Sequence, residues 1–209
     1  LLAVLFIFTI VVLIFTPVFI LIFAPGFYID PEKKDLSIQV LRIMFPYLAL
    51  ISLVAFASGI QNTHQKFSIP AFTPVLFNVI LIIAASFIAP NYDMPILVLA
   101  WGVLLAGFVQ LIIQVSPLIN IDKLPVPKLD FNNEGVKKFM SIIFPAIIAG
   151  GILQINLLID TIFASLLETG SPTWLYISDR LIQFPMGIFA IAIGTVLLPT
   201  LSKYDLSTE

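Results

Sequence analysis

The chain has 209 residues, of which 60% are hydrophobic and only 11% are charged, and its mean hydropathy is +1.11. Soluble domains carry about 25% charged residues, so this composition excludes a soluble globular domain and indicates an integral membrane protein. The net charge of −2 provides no basic surface for nucleic acid. The absence of cysteine excludes a disulfide framework, a cysteine-based zinc site and a thiol nucleophile.

Six apolar segments are long enough to cross a bilayer as helices, which requires about 20 residues each. In chain order they are Leu1 to Phe23, Ile38 to Ile60, Pro70 to Ala89, Pro95 to Ile119, Phe139 to Leu167 and Trp174 to Leu201. The alternating ten-residue segments of a membrane β-barrel are absent. The sequence therefore predicts an all-α fold, a polytopic transmembrane helical bundle with about six spanning helices.

The chain opens inside an apolar segment, with no basic region before it and no small-residue cleavage site after it. This pattern is not that of a signal peptide. We expect the chain to be an internal fragment of a longer membrane protein.

The loops differ in their content of Lys and Arg. The second and fourth loops and the C-terminal end hold six such residues, whereas the first, third and fifth loops hold two. The positive-inside rule then places the first group in the cytoplasm. The connections Asp30 to Asp35 and Glu168 to Thr173 are accordingly predicted to be extracytoplasmic.

The stretch from Asn120 to Lys138 is the one sizeable linker, with four predicted spans before it and two after it. We therefore predict two helical lobes. Residues 1–119 form part of the first, 120–138 form a cytoplasmic linker, and 139–209 begin the second.

Three charged residues lie within the last two apolar segments. Asp160 lies seven residues before the end of the fifth, and the adjacent Asp179 and Arg180 lie near the start of the sixth. A rise of 1.5 Å per residue puts Asp160 and Arg180 roughly 10 Å below the same membrane face. The short connection makes the two helices antiparallel neighbours, so both side chains are predicted to face one cavity.

Charges inside a bilayer are costly and usually mark a substrate or ion path, or pair with one another. The Arg180 guanidinium can bind phosphate with two parallel hydrogen bonds, and Gln183 shares its helical face. Asp160 can coordinate a cation or take up a proton. The alternative is a structural ion pair that fastens the two helices together, and the residues alone leave both open.

Other polar and proline positions favour helix packing. Asn78 and Gln110 are predicted to make interhelical contacts, and prolines such as Pro74 and Pro145 are predicted to bend their helices. No Gly-rich phosphate loop, no nucleophile beside a base and no HExxH motif occurs. The sequence therefore predicts a protein that is not an enzyme.

Three long stretches carry a resemblance to a known family. They are WLYISDRLIQFPMGIFAIAIGTVLLPTLSK from Trp174 to Lys203, RIMFPYLALISLVAFASGIQNTHQKFSIPAFTPVLFN from Arg42 to Asn78, and PAIIAGGILQINLLIDTIFAS in the fifth segment. The chain resembles the MurJ/MviN lipid II flippase family over essentially its whole length. That family belongs to the superfamily of multidrug, oligosaccharidyl-lipid and polysaccharide exporters.

The resemblance implies a fragment corresponding to helices three to eight of a fourteen-helix, two-lobed transporter in the bacterial cytoplasmic (inner) membrane. It implies transport of lipid II, the undecaprenyl-pyrophosphate-linked peptidoglycan precursor, by alternating access for cell-wall synthesis. The implied partners are lipid II, membrane lipids and the remaining helices of the full-length chain.

The resemblance also assigns roles to particular residues. The essential arginine of the family's eighth helix falls on Arg180, preceded by an acid at Asp179. Gln183 stands where some members have Glu, which leaves a charged role there in doubt. Asp160 matches a seventh-helix position that, where acidic, contributes to a sodium site, so Na+ is the one cofactor implied.

Two alternatives to lipid II transport stay open at this level. The first is an exporter of another polyprenyl-linked saccharide or a drug, because the superfamily shares the fold and the fold does not fix the substrate. The second is a membrane scaffold that keeps the fold without transporting.

Overall fold

The computed structural model describes residues 2–120, 125 and 134–187, and every regular element in this part of the chain is helical. This confirms the predicted all-α class. The elements are α1 (Leu2–Ile14), α2 (Thr16–Phe23), α3 (Pro25–Ile29), α4 (Pro31–Met44), α5 (Pro46–Thr63), α6 (Ser68–Ile83), a π-helical turn (Ala84–Ile88), a 3-10 turn (Ala89–Asn91), α7 (Pro95–Asn120), α8 (Glu134–Leu166) and α9 (171–187). Most of the predicted linker and the end of the sixth predicted segment lie outside the described residues.

The first predicted segment is not one straight helix. The axes of α1 and α2 differ by 79°. Pro17 lacks the N–H that would reach the carbonyl of Leu13 and its ring disfavours a continuous helix. The Thr16 hydroxyl donates to the carbonyls of Val12 and Leu13 at 2.8 and 2.9 Å, which satisfies acceptors that the break leaves free. The first predicted segment is therefore two helices with a sharp bend at Pro17, and together they are long and apolar enough for one broken span.

The predicted connection from Asp30 to Asp35 is also mostly helical. Asp30 caps α4, its Oδ1 accepting from the backbone N–H groups of Glu32 and Lys33 at 3.1 and 3.4 Å. Pro31 follows at the first helical position, where a missing N–H is harmless. The helical stretch Pro31–Thr63 therefore begins seven residues before the predicted span.

Three stretches of the described chain are long and apolar enough to cross a membrane, and the bent pair of α1 and α2 would make a fourth. They are Pro31–Thr63, Ser68–Asn91 and Pro95–Ile119. The fifth predicted segment lies within α8, a helix of 33 residues, except for its last residue, Leu167. The helix α9 covers the described start of the sixth segment. The chain is a helical membrane protein.

The helix α7 forms the centre of the described bundle, packing against α4, α5, α6 and the π-helical turn. Its buried residues recur at helical spacing along one stripe and are Ala100, Gly102, Val103, Ala106, Gly107, Gln110, Gln114 and Leu118. A Cβ on Gly107 would come within 2.7 Å of Tyr47 Cδ2. Small residues therefore let the neighbouring helices approach closely, as membrane helix packing favours.

Polar side chains join α5, α6 and α7 inside this bundle. Gln61 Nε2 donates to the backbone carbonyl of Gln114 at 3.0 Å and to its side-chain oxygen. Gln114 Nε2 in turn donates to Thr73 Oγ1 at 2.6 Å, and Gln110 Nε2 to the Thr73 carbonyl at 3.0 Å. The interhelical contact predicted for Gln110 is confirmed, whereas Gln61, Thr73 and Gln114 escaped prediction.

Candidate functional site

The hairpin of α8 and α9 carries all the predicted site residues and is attached to the rest of the described chain at one end. The 33 residues of α8 span about 50 Å at 1.5 Å per residue. Among its side chains that the structure describes, only Ala164 and Ser165 are buried. The helices against which α8 packs are α2 and α3. The hairpin therefore meets the α1–α7 bundle at one end and is uncovered along the rest of its described length. We call the space between the hairpin and the bundle the cleft.

One end of this cleft is closed by a contact between the bundle and the hairpin. We call this contact the junction, and its residues are Gly26, Lys33, Ser165 and Thr169. The Gly26 backbone N–H donates to Ser165 Oγ at 3.2 Å, and Ser165 Oγ donates to the Ile162 carbonyl at 2.7 Å. Beside it, Lys33 Nζ donates to Thr169 Oγ1 at 2.9 Å. Since the two predicted extracytoplasmic connections meet here, the junction lies at the end of the cleft that the loop charges assign to the outside.

Glycine is required at the centre of the junction by space. A Cβ built on Gly26 would overlap the Ser165 carbonyl oxygen and lie 2.8 Å from the Leu166 backbone nitrogen. These atoms are backbone, so no rotamer change can relieve the overlap. The short helix α3 and the last turn of α8 therefore touch backbone to backbone.

Arg180 is exposed on α9 and is oriented by two neighbours on its own helix. Its Nη1 donates to Gln183 Oε1 at 3.3 Å, and its guanidinium carbon lies 5.0 Å from the centre of the Tyr176 ring. A guanidinium carries five N–H donors, so the contact with Gln183 leaves others to bind an anion. The predicted common face of Arg180 and Gln183 is confirmed by this hydrogen bond.

Asp160 and Arg180 do not form an ion pair in this structure. In the described part of the chain, the one pair of opposite charges within 4.0 Å is Lys33 with Asp30, at 3.3 Å. Asp160 is exposed on α8 and Asp179 is half-buried on α9. The structure thus gives no support to the alternative of a structural ion pair, while a binding role for Asp179, Arg180 and Gln183 stays a prediction.

A sodium site at Asp160 also stays a prediction. No group of three or more His, Asp or Glu side chains that could hold a metal ion occurs among the residues that the structure describes. Asp160 is therefore a single carboxylate, whereas a cation in a protein takes several oxygen ligands.

The residues of the junction were not predicted from sequence. Pro25-Gly26 marks a turn between apolar runs, but its partner lies 139 residues away in the chain. Ser165 is one of many small polar residues near the end of a helix. Only the pairing of the first and fifth connections on one membrane side could have suggested that these loops meet.

Comparisons with known proteins agree over the whole chain. The family model described as "Lipid II flippase MurJ" matches residues 1–209. The probable lipid II flippase MurJ of Buchnera aphidicola subsp. Acyrthosiphon pisum is 45% identical over 189 residues, covering 90% of this chain and 37% of that protein. The lipid II flippase MurJ of Burkholderia cenocepacia is 40% identical over 190 residues, covering 89% and 37%. The chain thus spans little more than a third of the length of these relatives.

A solved structure supports the same assignment. "Lipid II flippase MurJ, inward closed conformation" superposes with a TM-score of 0.78 at 26% identity, covering 96% of this chain and 41% of that one. Sequence identity, the family model and the helical fold therefore coincide along the same residues. The chain belongs to the MurJ family of lipid II flippases.

Proposed function

We propose that the protein containing this chain is a lipid II flippase of the bacterial inner membrane. It would move the undecaprenyl-pyrophosphate-linked precursor from the cytoplasmic to the periplasmic leaflet for cell-wall synthesis. The names of the relatives support the substrate. The observation that carries the proposal is the exposed guanidinium of Arg180 on the α8–α9 hairpin, which contacts the bundle at one end.

Arg180 would bind the pyrophosphate. The guanidinium fork matches two phosphate oxygens, and a charge-assisted pair of this kind is roughly twice as strong as a neutral hydrogen bond. The Tyr176 ring and Gln183 Oε1 restrict the guanidinium before the anion arrives. Restriction of this kind lowers the entropy lost on binding. Asp179, adjacent in sequence, would limit the net positive charge of the site.

The cleft accounts for the direction of entry. With the junction on the extracytoplasmic side, the cleft opens toward the cytoplasm, where the precursor is made. Its pyrophosphate would enter along the open end, while the polyprenyl chain stays in lipid beside the exposed apolar surface of α8. Rocking of one lobe against the other would then open the opposite end. Transport of this type requires no covalent chemistry from the protein.

The test replaces Arg180 in the full-length protein. We expect Arg180→Ala and Arg180→Lys to lose growth support in cells depleted of their own flippase, because Lys keeps the charge but not the fork. Lys66→Gln, which removes an exposed cation from the α5–α6 connection, is the matched control and should support growth. Membrane levels of each variant are measured by immunoblot.

Proteoliposomes define the substrate. The reconstituted protein should translocate fluorescent lipid II and should discriminate against a polyprenyl-pyrophosphate saccharide that lacks the peptide. If the Arg180 variants support growth at normal protein levels, the role of Arg180 is wrong. If the peptide-free saccharide moves as fast as lipid II, the protein is a broader exporter.

A further inference from the structure

We propose that Gly26 is the positioning residue on which the outer closure of the cleft depends, and that the junction is a seam that separates when the cleft opens outward. The proposal rests on alternating access as the proposed function. It adds a specific contact, between α3 in the bundle and the last turn of α8 in the hairpin, whose making and breaking would set the direction in which Arg180 faces.

The contact between Gly26 and Ser165 is so close that only glycine at residue 26 permits it. Gly26 brings the backbone of α3 against the carbonyl of Ser165, and its N–H is held by the Ser165 hydroxyl at 3.2 Å. The hydroxyl is itself anchored to the Ile162 carbonyl. Any side chain at residue 26 would prevent this approach. A close backbone contact is therefore either made fully or lost, which suits a two-state closure.

The composition of the junction favours separation. Its second contact joins the half-buried Lys33 to the exposed Thr169, and Lys33 is also paired with Asp30. Exposed polar contacts of this kind add little stability, since water replaces them readily. No large apolar side chain of α8 is buried at the junction among the described residues, because the buried pair is Ala164 and Ser165. The bundle and the hairpin are therefore in contact at the junction without large apolar side chains of α8 packed between them.

Space beside the junction provides room for the hairpin to move. A cavity of about 620 Å³ lies between the bundle and the α8–α9 turn, lined on the bundle side by residues such as Lys33, Ser37 and Leu41 and on the turn by Glu168 and Thr173. Tightly packed interiors resist displacement. A cavity at the point of contact lets the turn rotate without repacking a core.

Two interventions follow from opposite sides. Gly26→Ala should hold the seam apart, because the added Cβ overlaps backbone. Gly150→Ala is the matched control, since a Cβ on that α8 glycine meets nothing within 4 Å. Conversely, Lys33→Cys with Thr169→Cys, joined by a short thiol-reactive bridge, should hold the seam shut.

The experiment uses the full-length protein in cells, with any other cysteines replaced. Ala164→Cys, buried at the junction, reports opening through its reaction with a membrane-impermeant thiol reagent added outside. We expect labelling to be at least several-fold faster in the Gly26→Ala background than in the Gly150→Ala background. We expect the bridged pair to stop lipid II translocation and cleavage of the bridge to restore it.

Equal labelling in the two glycine backgrounds, or undiminished translocation by the bridged protein, would overturn the proposal. If Gly26→Ala fails to accumulate, the bridged pair decides, because it retains Gly26. Thiol labelling needs no lipid II, so it tests the junction independently of the substrate. The proposal for the junction can therefore fail while the Arg180 tests succeed, and the Arg180 tests can fail while the labelling result stands.

Discussion

The helices α7 and α8 are similar in length and composition but differ in how much of their surface other helices cover. Both are long, apolar and interrupted by an internal proline, at Pro117 and Pro145. The helix α7 lies at the centre of the described bundle, with eight residues of one stripe buried. The helix α8 presents nearly every described side chain outward and touches the bundle at its last turn.

The comparison shows that apolar character places a helix in the membrane without saying how it packs. Small residues occur in both helices. In α7 a Cβ on Gly107 would meet Tyr47, whereas a Cβ on Gly150 or Gly151 of α8 would meet nothing within 4 Å. What separates the two is the polar cross-linking of α7 through Gln110 and Gln114 to Thr73. The helix α7 is therefore packed and hydrogen-bonded along its length, whereas α8 contacts the bundle only near its C-terminal end among the described residues.

The largest expected difference between the two helices concerns their apolar side chains. Leu118 on α7 is 1% exposed and Ile147 on α8 is 62% exposed. We expect Leu118→Ala to cost about 2–5 kcal/mol, since it leaves a cavity in a packed core. Ile147→Ala should cost less than about 0.5 kcal/mol, the usual range for surface substitutions away from special contacts. Thermal unfolding in the same detergent compares them, and equal losses would show that α8 is packed as tightly as α7.

A smaller difference separates the two glutamines of α7. Gln114→Leu removes the side-chain acceptor of Gln61 Nε2 and the donor to Thr73 Oγ1, and leaves only the backbone carbonyl to Gln61. We expect a loss of about 1–3 kcal/mol. Gln110→Leu removes one hydrogen bond but also a buried acceptor, Oε1, that has no protein partner. These effects oppose each other, so its change should stay within about 1 kcal/mol.

Thermal unfolding in the same detergent compares the stability losses of the two variants. Gln110→Leu serves as the matched control for Gln114→Leu, because both put an equal apolar side chain on the same buried stripe of one helix. A loss for Gln110→Leu as large as that for Gln114→Leu would show that the Gln110 amide, and not only the link from Gln61 to Thr73, fastens α6 to α7.

The sequence predicted those parts of the molecule that depend on composition and local pattern. The apolar runs located the helices, and the bounds of α7 agree with the predicted segment within one residue. Two local signals account for the differences in the first spans: Pro17 bends the first segment, and the Asp30-Pro31 cap starts the next helical stretch before its apolar run. The shared face of Arg180 and Gln183 followed from helical periodicity alone.

Contacts between distant residues were beyond prediction. Helical period and depth placed Asp160 and Arg180 at similar heights, but heights do not fix rotation about a helix axis, and their charged groups do not pair. The junction between Gly26 and Ser165 joins residues 139 apart through backbone atoms, which have no signature in side-chain pattern. The roles of Asp160 and Asp179 stay predictions from the family resemblance.

The smallest expected effect is a dependence on pH at the cap of α4, on the bundle side of the junction. The backbone hydrogen bond from Lys33 holds the pKa of Asp30 below its ordinary value of 3.8, and the Lys33 side chain and the Glu32 backbone N–H act in the same direction. A carboxylate with a lowered pKa stabilises the folded state fully above its unfolded pKa. That contribution disappears as the pH falls through the folded value.

The substitution Asp30→Asn tests the direction of this pH dependence of stability. Asn still caps a helix but carries no charge, so the variant lacks the contribution that titrates. We expect the wild type to unfold at a slightly higher temperature near neutral pH, and the gap to narrow as the pH falls below 3.8. Because the carboxylate side chain of Asp30 is 41% exposed to solvent, added salt should also reduce this difference in unfolding temperature. A gap that stays constant down to that acidity would mean that the cap acts through hydrogen bonding alone, with no contribution from its charge.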